Sequence, residues 1–422
     1  MSDTVRKQVL ANGLTVLTEE MKAFRSVCLG VWLRRGSRDE TDVQNGITHF
    51  IEHLVFKGTQ TRSAREIAKL LDRFGGQTDA STGHEQTCFW AKVMDRHMGD
   101  ALDLLSDIVL RPRFDPREIE RERNVIFEEI RMVEDSPEDL VYDLFTDALW
   151  GDHPLGRPIQ GTHESVGAMT REAILEYFRA AYVSGNLILS AAGNLSHEEL
   201  VARVEAAFRD LPGGNGSVPL APPAIGSRVL LRERELEQLQ VCLGVPGFPV
   251  SDSRRHAGRV LNTILGGNMS SRLFQAVREE RGLAYSVYSS AHGYLDTGYF
   301  MVYLATAPGQ VREALDVVQA EIRRLCREAV SPAELQEAKE HLTGGLMLGL
   351  ESSSNRMGHL AQQEIYFGRQ VDADRMLREI EGVTLEDVRT LAVELFDGRE
   401  ASLAALGRVG ASGLTEAPLR LG

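Results

Sequence analysis

Two copies of one α+β domain, each a mostly antiparallel sheet packed with helices, are what the sequence predicts, and three observations carry the prediction. SVCLGV at Ser26 to Val31 returns as QVCLGV at Gln240 to Val245 (offset 214), ALDLL at Ala101 as ALDVV at Ala314 (offset 213), and FDPREIERE near Pro116 as VSPAELQEA near Pro332 (offset 216). Order and spacing agree over about 90 residues, so the chain carries an internal duplication. Within each copy strand patterns come first and helical patterns follow, the order of an α+β fold. PGGNGSVPLAPPAIGS, Pro212 to Ser227, is dense in Gly, Pro and Ser without apolar periodicity, and reads as a linker. The expected domains are 1–211 and 228–422, joined by 212–227.

The elements follow in order. QVLANGLTVLTEE alternates around an Asn-Gly turn and predicts a hairpin. SVCLGVWLRRG predicts a strand, and the stretch from Arg96 to Trp150 is helical in period. In the second copy, strands are expected around Arg228 to Glu233, Gln240 to Val245, Ala284 to His292 and Gly298 to Thr306, then helices from Gln310 to Leu395.

Composition excludes several functions. A chain of 422 residues exceeds the size at which one hydrophobic core stops growing. Its 47 Lys+Arg against 61 Asp+Glu give a net charge of −14, and no basic stripe is present to neutralise nucleic-acid phosphates. Cationic or extended peptides suit that charge better. Cys28, Cys88, Cys242 and Cys326 form no CxxC pair and sit in apolar stretches, so they read as reduced core residues. No run approaches the roughly 18 apolar residues of a spanning helix, and the N-terminus has no signal architecture. A cytoplasmic, bacterial-type protein without membrane contact is the expectation.

The chemistry concentrates between Gly46 and Gly58. Ile47, Phe50, Ile51, Leu54 and Val55 form the stripe of a core-facing helix, which Asn45 would cap and Gly58 would end. His49, Glu52 and His53 fall on the opposite side, clear of the core. Histidines four residues apart can share one Zn²⁺, with the intervening Glu as base for a metal-activated water, and HFIEH is the HxxEH pattern of inverted zincins. Such a site needs a third protein ligand. A second helix, opened by Asp115 and Pro116 with Glu118 completing a capping box, buries Ile119, Ile126, Ile130 and Val133. On it Glu122 and Glu129 project at the border of the buried stripe while Glu128 points to water, leaving Glu122 and Glu129 both as candidates.

HFIEHLVFKGT, GGQTDASTGHEQT, IERERNVIFEEI and LGGNMSSRLFQAVREERGLAYSVYS together resemble the pitrilysin-like M16 metallopeptidases over essentially the whole chain. The resemblance is strongest to the two-domain group that includes the mitochondrial processing peptidase β subunit and its bacterial relatives. It implies the LuxS/MPP-like metallohydrolase fold and a zinc-dependent endopeptidase that takes extended or unfolded oligopeptides. It also implies one Zn²⁺ per chain on His49, His53 and Glu129, the Glu lying 76 residues past the second His as in the family. Glu52 would be the general base, and Glu122 matches a second family Glu that supports the site. Asp79 and Ala80 lie in the stretch that resembles the substrate-pairing strand, with Asp79 where relatives carry Asn. Arg278 and Tyr285 match a pair that contacts the scissile peptide from the partner chain of a clamp-shaped dimer. A homodimer is therefore implied, with a heterodimer of related subunits as the other arrangement. The rival reading is a non-catalytic scaffold or peptide-binding subunit of such a heterodimer, in which the metal motif is usually degraded. In the second copy, the offsets place Thr263, Gly266, Gly267 and Gly345 opposite His49, Glu52, His53 and Glu129, so that copy is expected to hold no metal.

Overall fold

The computed structural model describes residues 5–214, 221–224 and 226–422, so part of the expected linker 212–227 lies outside the described residues. The first copy contributes β1 (Val5–Val9), β2 (Thr15–Glu20), β3 (Ser26–Leu33), β4 (Gln77–Thr82), β5 (Thr87–Met94) and β6 (Leu187–Gly193). The second contributes β7 (Val229–Glu233), β8 (Leu239–Pro246), β9 (Ala284–Gly293), β10 (Gly298–Thr306), β11 (Glu400–Gly407) and β12 (Leu419–Arg420). Helices in the first copy are α1 (Ile47–Val55), α2 (Ala64–Phe74), α3 (Met98–Leu110), α4 (Pro116–Asp135), α5 (Pro137–Trp150), α6 (His163–Ala168), α7 (Arg171–Ala181) and α8 (His197–Ala207). In the second they are α9 (Arg255–Leu265), α10 (Val311–Arg327), α11 (Pro332–Gly349), α12 (Ser353–Phe367), α13 (Ala373–Glu381) and α14 (Leu385–Phe396).

The duplication survives strand by strand. The first sheet runs β1-β2-β6-β3-β5-β4 and the second β12-β11-β8-β10-β9, with β7 also on β11. β2 pairs parallel with β6 as β7 does with β11, and the other ladders are antiparallel. The fold is therefore α+β and mostly antiparallel. The expectation that all strands precede all helices needs correction: α1 and α2 interrupt before β4, and β6 and β11 enter mid-sheet after long helical runs. LILSAAG of β6 is buried at every residue, so it lacks the alternation that marks a half-exposed strand.

Packing crosses the sequence halves. One compact unit comprises Met1–Arg131, Pro158–Leu220 and Met347–Asp372, the other Met132–Arg157, Ala221–Leu346 and Ala373–Gly422. Unit 1 thus includes α12, whose Met357, Leu360 and Ala361 pack on Cys28, Trp32 and Ile188. Unit 2 includes α5, whose Phe145, Leu149 and Trp150 pack on Cys242, Met301 and Tyr303. Each repeat half lends a helix to cover the other half's sheet. All four cysteines are buried free thiols. Among the described residues no helix is long and apolar enough to cross a membrane.

Candidate metal and catalytic centre

The helix α1 buries Ile47, Phe50, Ile51, Leu54 and Val55 and leaves His49, Glu52 and His53 half-buried on its other face. Its ends differ from expectation. Asn45 does not cap it; its side chain donates to the Pro158 carbonyl at 3.0 Å. The buried carboxylate of Glu40 takes that role, accepting from the backbone N–H groups of Gly46 and Thr48, each at 2.8 Å. Gly46 stands at φ 92, and a Cβ there would lie 2.6 Å from the Gln160 carbonyl oxygen. The helix stops at Val55 with Phe56 as its cap, before Gly58 is reached.

Helix α4 leaves a tight approach: Phe114 has φ 47, and its carbonyl accepts from Arg171 Nε at 2.7 Å. Asp115 accepts from the Arg117 amide at 2.8 Å, while Glu118 pairs with Arg121, so the reciprocal half of the expected capping box is absent. Ile119, Ile126 and Ile130 are buried and Val133 is half-buried. Glu122 is buried, the Glu129 side chain is 39% exposed and that of Glu128 is 68% exposed, the order the helix angles predict.

These two helices bring His49, His53 and Glu129 together. His49 Nε2 and His53 Nε2 lie 3.3 Å apart, and Glu129 Oε2 stands 3.6 Å from the first and 3.4 Å from the second. Three ligands on one ion, at bonds of about 2.0–2.2 Å and tetrahedral angles, lie roughly 3.3–3.6 Å apart. The donor triangle therefore fits a metal ion, with two imidazole nitrogens and one carboxylate oxygen. It is the one such His/Cys/Asp/Glu cluster among the described residues.

The surroundings prepare the donors. Glu122 Oε2 lies 3.3 Å from His53 Nδ1, and because a carboxylate only accepts, Nδ1 carries the hydrogen and Nε2 keeps its lone pair for a metal. Lys57 Nζ holds the other oxygen of Glu122 at 2.9 Å. Burial works against the ionised Glu122, but His53 and Lys57 outweigh it and hold its carboxyl below the usual range. Burial would lower His53 as well, yet the Glu122 hydrogen bond and the charges of Glu129 and Glu52 raise it. Burial and the neighbouring His53 push His49 down to about 4, so it is neutral and able to ligate near pH 7. Glu52 is raised by burial, opposed by a hydrogen bond from the Thr82 hydroxyl to its Oε2.

Asp79 and Ala80 lie on β4, an edge strand with β5 as its one strand partner among the described residues. Ala80 packs against the main core, while exposed Asp79 accepts from the Ala80 amide at 2.9 Å. Arg278 and Tyr285 belong to unit 2 and are brought together there. The guanidinium lies 4.7 Å from the centre of the Tyr285 ring, which is 75% exposed. A π-helical turn over Phe274–Glu279, not anticipated from sequence, carries Arg278, and Gly282, with φ 61, follows it before β9.

In unit 2 the counterpart positions hold no ligand set. Thr263 bonds back to the Arg259 carbonyl at 3.0 Å, and a Cβ on Gly266 would fall against the Ser289 backbone. Sequence reasoning missed Glu40, Lys57 and Thr82. None had a local signal: Lys57 lies just past the end of α1 and reaches Glu122 on α4, Thr82 reaches Glu52 from β4, and Glu40 reaches the α1 amides from the loop before the helix.

With this geometry in view, the sequence matches the description "Insulinase (Peptidase family M16)" over residues 15–163 and "Peptidase M16 inactive domain" over residues 168–342. The chain belongs to peptidase family M16. One relative, an uncharacterized zinc protease of Bacillus subtilis, is 41% identical over 392 residues, which span 93% of this chain and 96% of the relative. An uncharacterized zinc protease of Streptomyces coelicolor is 42% identical over 412 residues, 96% of this chain and 90% of that one. The fold matches the crystal structure of a peptidase M16 inactive domain from Pseudomonas fluorescens at TM-score 0.90 and 22% identity, covering 99% of this chain and 100% of that one. A protease from Helicobacter pylori matches at TM-score 0.88 and 23% identity, over 95% and 99% of the two chains. The "inactive" M16 description falls mostly on the half that lacks the donor triangle.

Proposed function

We propose that the protein is a zinc-dependent endopeptidase that hydrolyses extended peptides at the His49, His53 and Glu129 centre. The observation that carries this is the donor triangle of 3.3–3.6 Å edges with the Glu52 carboxylate beside it on the same helix face. Bound there, Zn²⁺ would supply Lewis acidity, making water a nucleophile near neutral pH and polarising the scissile carbonyl. Glu52 takes the proton from the attacking water and returns it to the leaving amine, a task suited to a carboxyl raised by burial. Glu122 and Lys57 keep His53 in its ligating tautomer. The outer edge of β4, which has no strand partner other than β5 among the described residues, offers its backbone to an extended substrate. Intact donors and base favour this over a scaffold subunit.

The chain works in this reading as a dimer, in which a partner copy brings Arg278 and Tyr285 to the peptide and Tyr285 donates to the developing oxyanion. Glu52→Gln should keep one zinc per chain and lose about 10²–10⁴-fold in peptidase turnover. A mixture of inactive Glu52→Gln and inactive Tyr285→Phe chains should regain activity through exchanged dimers. Undiminished turnover by Glu52→Gln sinks the peptidase assignment; a mixture that stays inactive sinks the shared site. Exposed Asp79 on the substrate edge favours basic peptides, so Asp79→Asn should narrow the preference for Arg/Lys-rich over neutral peptides. An unchanged ratio refutes that part.

A further inference from the structure

We propose that Thr82 is the positioning residue of the general base: its hydroxyl, carried on the edge strand β4, holds Oε2 of Glu52 so that Oε1 alone is left to handle the proton. The inference rests on Glu52 being that base and adds what aligns it. Glu52 lies on α1, a helix whose buried stripe fixes its backbone, but nothing in that stripe fixes the carboxylate of a half-buried Glu. The Thr82 Oγ1–H donates to Oε2. Thr82 closes β4 opposite Thr87 on β5, so the ladder locks the donor's backbone, and its β-branched side chain has few rotamers. On the alternating β4, Thr78, Ala80 and Thr82 share the half-buried face, and Ala80 packs against the core that includes the α1 stripe. The same residue therefore belongs to the strand that offers a free edge to substrate and to the hydrogen bond that orients the base. No other hydroxyl on β4 reaches Glu52 among the described contacts.

A donor to one oxygen does two things. It removes the rotation that would exchange Oε1 and Oε2, and it leaves the base in a single orientation when a peptide docks. Misplacement of a catalytic group by an ångström can cost about 10²-fold. The role predicts a loss confined to turnover, since Thr82 is not among the metal donors and its hydroxyl is engaged with the base.

The test uses the full-length zinc-loaded protein with Thr82→Val, which keeps the shape and removes the hydroxyl, and Thr82→Ser, which keeps the hydroxyl. Thr82→Val should lose about 10- to 100-fold in kcat with KM within about twofold, while Thr82→Ser recovers to within about threefold. Zinc content should stay at one per chain. Peptide affinity, measured on the inactive Glu52→Gln background, should be the same whether or not Thr82→Val is added. In that background the second substitution should also cost no further turnover, because both changes act through one carboxylate. Parent-like kcat in Thr82→Val, equal losses in the valine and serine variants, a loss expressed in KM or peptide affinity, or a fall in zinc content would each overturn the positioning role. Active Glu52→Gln would instead overturn the peptidase reading, which separates the two failures.

Discussion

In unit 1 the helix after the central strand starts at Ile47 and still has residues to run when it reaches Glu52 and His53; in unit 2 the corresponding helix α9 starts at Arg255 and stops at Leu265. With the offset of 214, Leu265 is the counterpart of Ile51, so the positions matching Glu52 and His53 fall outside the helix, on Gly266 and Gly267. The two regions share strand order and one parallel ladder each, yet only one presents three donors on helical faces. A metal centre in this fold thus depends on helix register as much as on residue identity. Unit 2 has neither the ligand residues nor a helix that extends to the positions matching Glu52 and His53.

The shared features are equally instructive. Gly30 on β3 and Gly244 on β8 are the glycines of the repeated CLGV, and neither is needed for a turn. A Cβ on Gly244 would lie 2.8 Å from the Phe145 ring of α5, and one on Gly30 would run into the thioether of Met357 on α12. The repeated glycine leaves room for the exchanged helix in both units, and at Gly244 also for the β10 backbone, whose Phe300 carbonyl oxygen a Cβ would approach to 2.5 Å. The largest expected effect therefore comes from emptying that contact. Phe145→Ala should cost about 3–5 kcal/mol and Met357→Ala about 2–5 kcal/mol. Hydrogen exchange should rise in β8, β10 and β11 for the first variant and in β2, β3 and β6 for the second. The reverse pattern would return each helix to its own sequence half.

Much of this was legible in the sequence, and the limits have physical causes. The α1 stripe, the β1–β2 hairpin and the border position of Glu122 and Glu129 are local periodicities, and each holds. The stripe on α5 says that the helix buries a face, but not which sheet receives it, because that choice is made between residues about 100 apart such as Phe145 and Gly244. The cap of α1 shows the same limit. Asn45 is the better capping residue by type, yet Glu40 reaches the helix N-terminus because the 3₁₀ turn Asp42–Gln44 between them folds the chain back, and Asn45 is drawn away to Pro158.

A smaller effect separates two glycines of unit 2, Gly266 at the counterpart of the base Glu52 and Gly345 at that of the ligand Glu129. Gly266→Ala should destabilise by about 1–3 kcal/mol, since its Cβ meets the Ser289 backbone. Gly345→Ala, at the counterpart of Glu129, has nothing within 4 Å and lies inside α11, so it should stabilise by about 0.5–1 kcal/mol. Chemical denaturation of the two variants reads both signs. A tolerated Gly266→Ala would mean that packing against Ser289 gives no reason for the glycine at the position that matches Glu52.

The last effect, a pH dependence, concerns the cap, where the two units differ again: the counterpart of Glu40 is Arg254, a partly exposed residue paired with Asp252 and Glu394. Burial pushes the Glu40 carboxyl up to about 7, against the amides of Thr48 and Gly46 that favour its ionised form. Unfolded, it titrates near its ordinary value of 4.5. Between these values the folded chain holds a proton that the unfolded chain has released, so stability from this group falls as pH rises and levels off above about 7. The stability advantage of the parent over Glu40→Gln should accordingly shrink between pH 4.5 and 7 and then stay constant. An advantage that grows over the same interval would show that the amides and the positive end of α1 outweigh burial. Glu40 would then be an ionised cap, and the metal-bearing helix of unit 1 would owe part of its start to a buried negative charge that unit 2 lacks.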